Sequence, residues 1–284
     1  MSTERMAFFD DVVLPGSGDV DPYHMPPPSP WLALTEPQRA ALEALSLAAV
    51  RGLLKNMPAG DGNPVMVLPG FLGSDGYNAI LRRFLSGLGY QVVGWGMGRN
   101  LGPRGDVLER LMARVADLAD VHGKKVSLVG HSLGGIFARE IAREDPGLIR
   151  QVISLGSPFG RGRKSGSYPA RLFEALNPDE EITVSQDELH WAPPVPTTAI
   201  YSKGDGIVNW RTSLQNFSFA LRSTQNIQIR GSHCGMTVNP VVWYILADRL
   251  RQSEDSWQPF TASGLQRLLM PKHSEFGSGA GVGV

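Results

Sequence analysis

Cysteine is the scarcest residue of this sequence: Cys234 is the only one in 284 residues. A lone cysteine excludes an intrachain disulfide and leaves no Cys spacing for a structural zinc ion. Excess charge is lacking too, since Lys plus Arg number 27 and Asp plus Glu number 27. A balanced chain carries neither the basic footprint of a nucleic-acid binder nor the bias that steers a protein to an anionic membrane. Long hydrophobic runs are missing as well. The longest apolar stretch, around "ALEALSLAAVRGLL", is broken by Glu43 and Arg51 and is too short to span a bilayer. The N-terminal "MSTERMAFFDDVV" has no continuous apolar core before a cleavage site. No signal peptide is read there, and a cytoplasmic location is the expectation. No internal repeat, cofactor motif or metal-ligand spacing appears, and the sequence does not specify an oligomeric state. What is present is a hydrophobic share of 42%, ample for a sizeable core.

Residues 1–34 are rich in Pro and Asp, with "MPPPSP" at 25–30, and read as an extended arm. A helix is predicted from Thr35. Thr35 can cap it, Pro37 suits its first turn, and Leu42, Leu45, Leu47, Leu53 and Leu54 have roughly helical spacing. Residues 1–60 thus form an arm and a helix packed on the body. The body, 61–252, alternates strand and helix. Buried strands are expected at "NPVMVLPG", "YQVVGWG", "KKVSLVG", "LIRQVISLGSP", "TTAIYSKGD" and "NIQIRGSH". Helices are expected at "GYNAILRRFLSGLG", "GDVLERLMARVADLADVHG", "GGIFAREIARED" and "NPVVWYILADRL". Strands without polar alternation, separated by helices, imply an α/β fold: a mostly parallel sheet covered on both faces, with right-handed connections. Residues 253–284 form a C-terminal segment whose Gly-rich tail, "GSGAGVGV", is expected to be disordered.

In "VSLVGHSLGG" an apolar strand stops at Gly130, Ser132 follows, and Gly134 opens a helix. This is the pattern of a nucleophile elbow, a sharp turn that presents a serine hydroxyl at the top of the sheet. Side chains at 130 and 134 would clash with the backbone of such a turn. A phosphate-binding loop is disfavoured because no Lys-Ser or Lys-Thr follows the glycines.

A serine is a poor nucleophile unless a base takes its proton, and in this arrangement acid and histidine follow the serine in order. His24 and His122 lie upstream, and His131 adjoins Ser132 and points away. His190 falls in an irregular segment and His273 in the tail. His233, closing the last predicted strand in "RGSHCGM", is the candidate base. Asp205, in a Gly-flanked turn after the fifth strand, is the preferred acid. Asp179, Asp187 and Asp248 remain competitors. An oxyanion needs two N–H donors. Leu133, after the nucleophile, supplies one, and Phe71, after Gly70 in "LPGFLGSD", supplies the other.

The blocks "PGFLGS", "GWGMGRNLGP", "VSLVGHSLGG", "VISLGSPF", "GDGIV" and "GSHCGM" resemble the α/β-hydrolase superfamily. Within it they look like bacterial lipase/esterase-type serine hydrolases with a Gly-His-Ser-Leu-Gly-Gly elbow. A looser resemblance is to GPI-inositol deacylase-like hydrolases. The resemblance covers about residues 60–250. It implies Ser132 as nucleophile, Asp205 as acid, His233 as base, and the Phe71 and Leu133 amides as oxyanion hole. The implied activity is hydrolysis of small carboxylic esters through an acyl-enzyme, without cofactor or metal. A triacylglycerol lipase, an acyltransferase, an amidase or a non-catalytic binding module are alternatives on the same frame. Many relatives begin the oxyanion loop with His-Gly, whereas Pro69 precedes Gly70 here, so the loop must be ordered differently.

Residues 159–196, between the fourth and fifth strands, are long for a connection. They read either as a mobile lid or as a fixed surface loop, with Trp191 in "HWAPPVP" a candidate wall of an acyl pocket. "GWGMGRN" is no dinucleotide fingerprint, because Arg99 stands where the third glycine should fall. Arg99 and Asn100 are expected to organise loops near the site. Trp210 is expected to pack near the acid turn, and Cys234 to be a small buried side chain.

Overall fold

The computed structural model describes residues 24–54, 57–178, 189–216, 223–253, 256–263 and 269–271. Six parallel strands form one sheet in the order β2-β1-β3-β4-β5-β6. They are β1 (Pro64–Leu68), β2 (Gln91–Gly94), β3 (Val126–His131), β4 (Ile149–Leu155), β5 (Thr197–Ser202) and β6 (Thr224–Ile229). Each lies where the apolar runs predict it. The last differs at its end: β6 stops at Ile229, so His233 sits in the following loop rather than closing the strand.

Side chains alternate across a strand, so each one feeds two cores. Val65, Val67, Val129, Ile153, Leu155, Ile200, Ile227 and Ile229 point to one face. That face is covered by α2 (Glu36–Leu54), α3 (Ala79–Gly87) and α7 (Pro240–Leu250). Met66, Leu68, Val126, Leu128, Val152 and Ala199 point to the other. There they meet α4 (Val107–His122) and α5 (Leu133–Glu144). The edge strand β6 is protected where the Gln225 side chain bonds both the N–H and the C=O of Phe260. Among the described residues no helix is long and apolar enough to cross a membrane.

The N-terminal helix departs from its expectation in two ways. It is preceded by α1 (Pro30–Leu34), capped by Ser29 with Pro30 at its first position. Thr35 therefore lies at the junction of two helices, where its hydroxyl donates to Trp31 O. Of the leucines expected to face the core, Leu42 is 64% and Leu45 67% exposed, while Leu47 and Leu54 are buried. The inward face of α2 runs through Glu36, Arg39, Ala40, Glu43, Leu47, Val50 and Leu54, a regular three- and four-residue spacing. Its first half is charged and its second half apolar.

The strand order places a switch point between β1 and β3. The chain leaves β1 toward β2, then returns to β3 on the other side. At such a point the loops leaving the carboxyl ends of the strands diverge and open a crevice.

Candidate active site

The loop after β1 and the turn after β3 meet at this switch point. Ser132 holds φ 51° and ψ −123°, between the end of β3 and the first residue of α5. Few L residues adopt that backbone, and the surrounding structure enforces it. Ser132 N–H donates to Leu155 O at 2.8 Å, and Ser132 O accepts from Gly135 N at 3.0 Å. The glycines clear the space. A Cβ on Gly130 would lie 2.3 Å from Gly134 O, and one on Gly134 would lie 2.4 Å from Leu68 O. Gly135 is equally constrained, since its Cβ would lie 2.0 Å from Ser157 Oγ. At Gly70 a Cβ would lie 2.9 Å from Ser132 Cβ, so the loop after β1 passes directly against the serine.

His233 and Asp205 form a buried pair, 4% and 3% exposed. His233 Nδ1–H donates to Asp205 Oδ2 at 2.6 Å. The other carboxylate oxygen, Oδ1, accepts from Ile207 N at 2.9 Å and Val208 N at 2.7 Å. One oxygen thus fixes the turn and the other orients the imidazole. Two contacts tie the pair to the elbow. Gly156 follows Leu155, and a Cβ there would lie 3.2 Å from Asp205 Oδ2. The rings of His233 and His131 are 4.9 Å apart.

Burial opposes a charged imidazole at His233. The charge and hydrogen bond of Asp205, with the charge of Glu36, outweigh it and hold its pKa above the ordinary 6.5. His131 behaves oppositely. Complete burial, then the neighbouring His233, push its pKa down to about 3, so it stays neutral. Its Nε2, 3.0 Å from His233 O, donates to that carbonyl, and Tyr77 stacks on its ring. Of the two, His131 is held neutral and His233 is the one whose pKa is raised.

The loop carrying Phe71 is ordered by Asn100, which is fully buried. Asn100 Nδ2 donates to Pro69 O at 2.8 Å, its N–H to Gly73 O at 2.8 Å, and its O accepts from Leu72 N at 2.7 Å. This grip does the ordering in a loop that begins Pro-Gly. It holds Leu72 at φ 62°. The Phe71 ring meets Phe173 edge-on at 5.4 Å. Phe173 lies on α6 (Ala170–Leu176), in the segment after β4. Leu133 opens α5, where the first N–H groups of a helix have no partner within it.

No protein-family model matches the sequence, and no curated protein matches it. Solved structures do. Lipase B of Aspergillus fumigatus is 18% identical, with a TM-score of 0.53 over 70% of this chain. The chain spans 55% of the length of that lipase. A probable hydrolytic enzyme of Pseudomonas aeruginosa is 13% identical, with a TM-score of 0.50 over 69% of this chain and 88% of that one. The chain has the α/β-hydrolase fold.

In that fold, an elbow after a central strand faces loops from the strands beyond it, which is how Ser132, Asp205 and His233 are distributed here. The structure does not bring Trp191 to them. Its carbonyl accepts from Arg139 and Arg143. At 1.5 Å per residue these lie about 10 Å and 16 Å along α5 from Ser132. The connection from β4 has to return to the amino ends of the strands before β5 begins, away from Ser132, and Trp191 sits in that approach.

Of the competing acids, Asp248 is held on α7 by Arg249 and Arg251. Asp179 and Asp187, like His273 and the Gly-rich tail, lie outside the described residues. Trp210 stacks on Tyr201, whose strand leads into the acid turn. In the glycine loop after β2, Trp95 Nε1 donates to Gly98 O, and the Asp75 carboxylate accepts from Trp95 N and Gly96 N. Its polar groups are thus turned inward. Cys234 is half-buried, and burial together with the Glu36 carboxylate pushes its thiol up to about 12, so it stays protonated. Among the described residues, no group of three or more His, Cys, Asp and Glu side chains is arranged to hold a metal ion.

Sequence reasoning missed Glu36, Arg39 and Glu43 on α2. Glu36 is 2% exposed. Its Oε1 accepts from Gly206 N at 2.8 Å and His233 N at 2.9 Å, and its Oε2 from Cys234 N at 2.8 Å. One signal was available. These three residues share one helix face, and no other charged residue occurs between Pro30 and Val50.

Proposed function

We propose that the chain is a serine hydrolase that cleaves carboxylic esters of short to medium acyl chain through an acyl-enzyme. The observation that carries this reading is the buried 2.6 Å hydrogen bond from His233 Nδ1 to Asp205 Oδ2, beside a serine held at φ 51°. That bond fixes the imidazole tautomer and leaves Nε2 as the basic nitrogen. Nε2 takes the proton of Ser132 Oγ as the oxygen attacks the ester carbonyl. The oxyanion is held by the Phe71 and Leu133 amides. His233 then gives that proton to the departing alcohol oxygen, and the ester C–O bond breaks. Water repeats the sequence on the acyl-serine. Its proton passes through His233 to Ser132 Oγ as the carboxylic acid leaves.

Chain-length preference follows from the cover. The described part of the segment after β4 includes the short helix α6. It is tied to the acid loop by Gly160 N–Thr212 O, Asn209 N–Gly166 O and Tyr168 N–Ile207 O, at 2.7, 2.7 and 3.1 Å. Interfacial binding scales with buried apolar area, and a short tethered helix offers little of it. Soluble esters are the substrates we expect. The apolar pair of Phe71 and Phe173 flanks the acyl side, in place of Trp191.

The test is covalent labelling by a fluorophosphonate, with the labelled peptide mapped, alongside rates on p-nitrophenyl esters of increasing chain length. Labelling at Ser132 and best turnover on soluble short or medium chains are expected. Absence of labelling in folded protein overturns the assignment. A sharp rate increase once droplets form, with long-chain triglyceride preferred over butyrate esters, overturns the substrate class.

A further inference from the structure

We infer that Glu36 is a positioning residue for His233: its buried carboxylate clamps the acid loop to the base loop and adds a second negative charge behind the imidazole. This rests on the reading of His233 as the base.

The clamp is a matter of geometry. Asp205 and His233 sit on separate loops, after β5 and β6. Their side chains share one hydrogen bond, but a 2.6 Å contact between two loops needs both backbones fixed. Glu36 does this by accepting from the residue after the acid, Gly206, and from the base itself, His233. Its neighbours on the same helix face extend the grip. Arg39 Nη2 donates to Glu36 Oε1 at 2.9 Å, and its Nη1 to Gly204 O at 2.5 Å. Glu43 Oε1 accepts from Ser232 N at 2.7 Å, and its Oε2 from Asn239 Nδ2 at 3.0 Å. Charged groups from one helix thereby fix residues 204, 206, 232, 233 and 234.

The loops are shaped to receive this helix. A Cβ on Gly206 would lie 2.4 Å from Leu32 O, and one on Gly235 would lie 2.4 Å from Glu43 Oε2. Gly206 needs glycine because the backbone of α1 lies against it, and a side chain at Gly235 would displace the Glu43 carboxylate from its place. The clamp is therefore a fit between both partners.

The charge is also real. Burial favours a neutral Glu36, but three backbone N–H donors and the positive charge on His233 keep its pKa below the ordinary value. Its position in the first turn of α2 adds the favourable end of the helix dipole. Other groups facing the imidazole are Asp205 from the β5 loop, His131 from β3, and Cys234 beside it. Tyr77, from the loop after β1, donates to Cys234 O, and Arg39 and Glu43 reach in from α2. Of these His131 and Cys234 are uncharged near neutral pH, and Arg39 is bonded to Glu36 itself. Glu36 therefore stands beside Asp205 in stabilising the imidazolium.

The experiment compares wild type, Glu36→Gln and Glu36→Asp as full chains. Histidine NMR reads the His233 titration, and ester hydrolysis gives kcat, KM and their pH profiles. In Glu36→Gln the loss of charge moves the His233 titration and the acid limb of kcat/KM to lower pH. A misplaced imidazole lowers kcat by about 10- to 100-fold with KM within about threefold. Glu36→Asp keeps the charge and loses reach, so its titration stays near wild type while kcat falls. It also serves if the glutamine variant does not fold. A folded Glu36→Gln protein with unchanged titration and pH profile overturns the proposal, as does a Glu36→Asp protein with wild-type kcat. The NMR arm separates this outcome from failure of the hydrolase reading. If wild type hydrolyses no ester, the mechanism falls, while the titration shift still decides whether Glu36 acts on His233.

Discussion

The elbow and the N-terminal helix each hold loops that leave the carboxyl ends of the strands, and they do so by opposite means. At the elbow, close approach is achieved by removing side chains: Gly130 and Gly134 let backbone meet backbone, and Gly70 and Gly135 make room for the side chains of Ser132 and Ser157. Along α2 it is achieved by extending them, since Glu36, Arg39 and Glu43 span the gap to loops the helix backbone does not touch. The first region is rigid because nothing else fits. The second is rigid because every charged group has a partner. Substitutions should therefore fail differently in the two places.

The largest effect is expected at the serine. Ser132→Ala removes the nucleophile and should lower kcat by about 10⁵–10⁶, with residual catalysis about 10³–10⁴ above water. Circular dichroism and a denaturant titration should show the fold retained. Full activity in that variant would end the mechanism. Next comes the acid. Asp205→Asn should cost about 10⁴ in kcat with little change in KM, because the imidazole is held in the wrong tautomer. Asp187→Asn, made in parallel, should behave as wild type. The reverse pattern would transfer the role to Asp187.

Steric failure is expected at the elbow glycines. Gly134→Ala sets a methyl against the fixed carbonyl of Leu68 and should destabilise by about 2–3 kcal/mol in urea unfolding. The pH dependence is gentler. His233 must be neutral to act as base, and its pKa is raised, so kcat/KM should rise through a midpoint above 6.5. Below the midpoint it should change by about tenfold per pH unit. A flat profile from pH 5 to 9 with chemistry limiting would remove the histidine base. The smallest effect is expected on the outward face of α2. Leu45→Lys, at a position 67% exposed, should alter stability by no more than about 0.5 kcal/mol. A large loss there would mean that the helix is oriented by its leucines after all.

The same contrast explains what the sequence revealed. Gly130, Ser132 and Gly134 serve a turn made by five consecutive residues, so their spacing is readable without knowing the rest of the chain. The strands were readable because a parallel sheet buried on both faces demands unbroken apolar runs. Asp205 and His233 were reachable because each follows a segment legible as a strand. Glu36 was not, because its partners lie 170 and 197 residues away, and no local pattern records a partner at that distance. The leucines of α2 also misled. Leucine spacing predicts a helix correctly, but which face turns inward was decided by the loops that needed anchoring. Trp191 misled for a different reason. Its place just before β5 already puts it near the amino ends of the strands, and its residue type suggested a pocket wall regardless.

One consequence of the Ser132 backbone concerns adaptation. A non-glycine residue at φ 51° and ψ −123° stores strain of about 1–3 kcal/mol, which glycine does not feel. In a library screened for heat resistance alone, glycine at 132 would be enriched as the most favourable local replacement. In a library screened for turnover it would be purged. Ser132 is thus a standing cost to the melting temperature, and under the proposed mechanism ranking variants by thermostability alone steers this protein toward an inert version of itself.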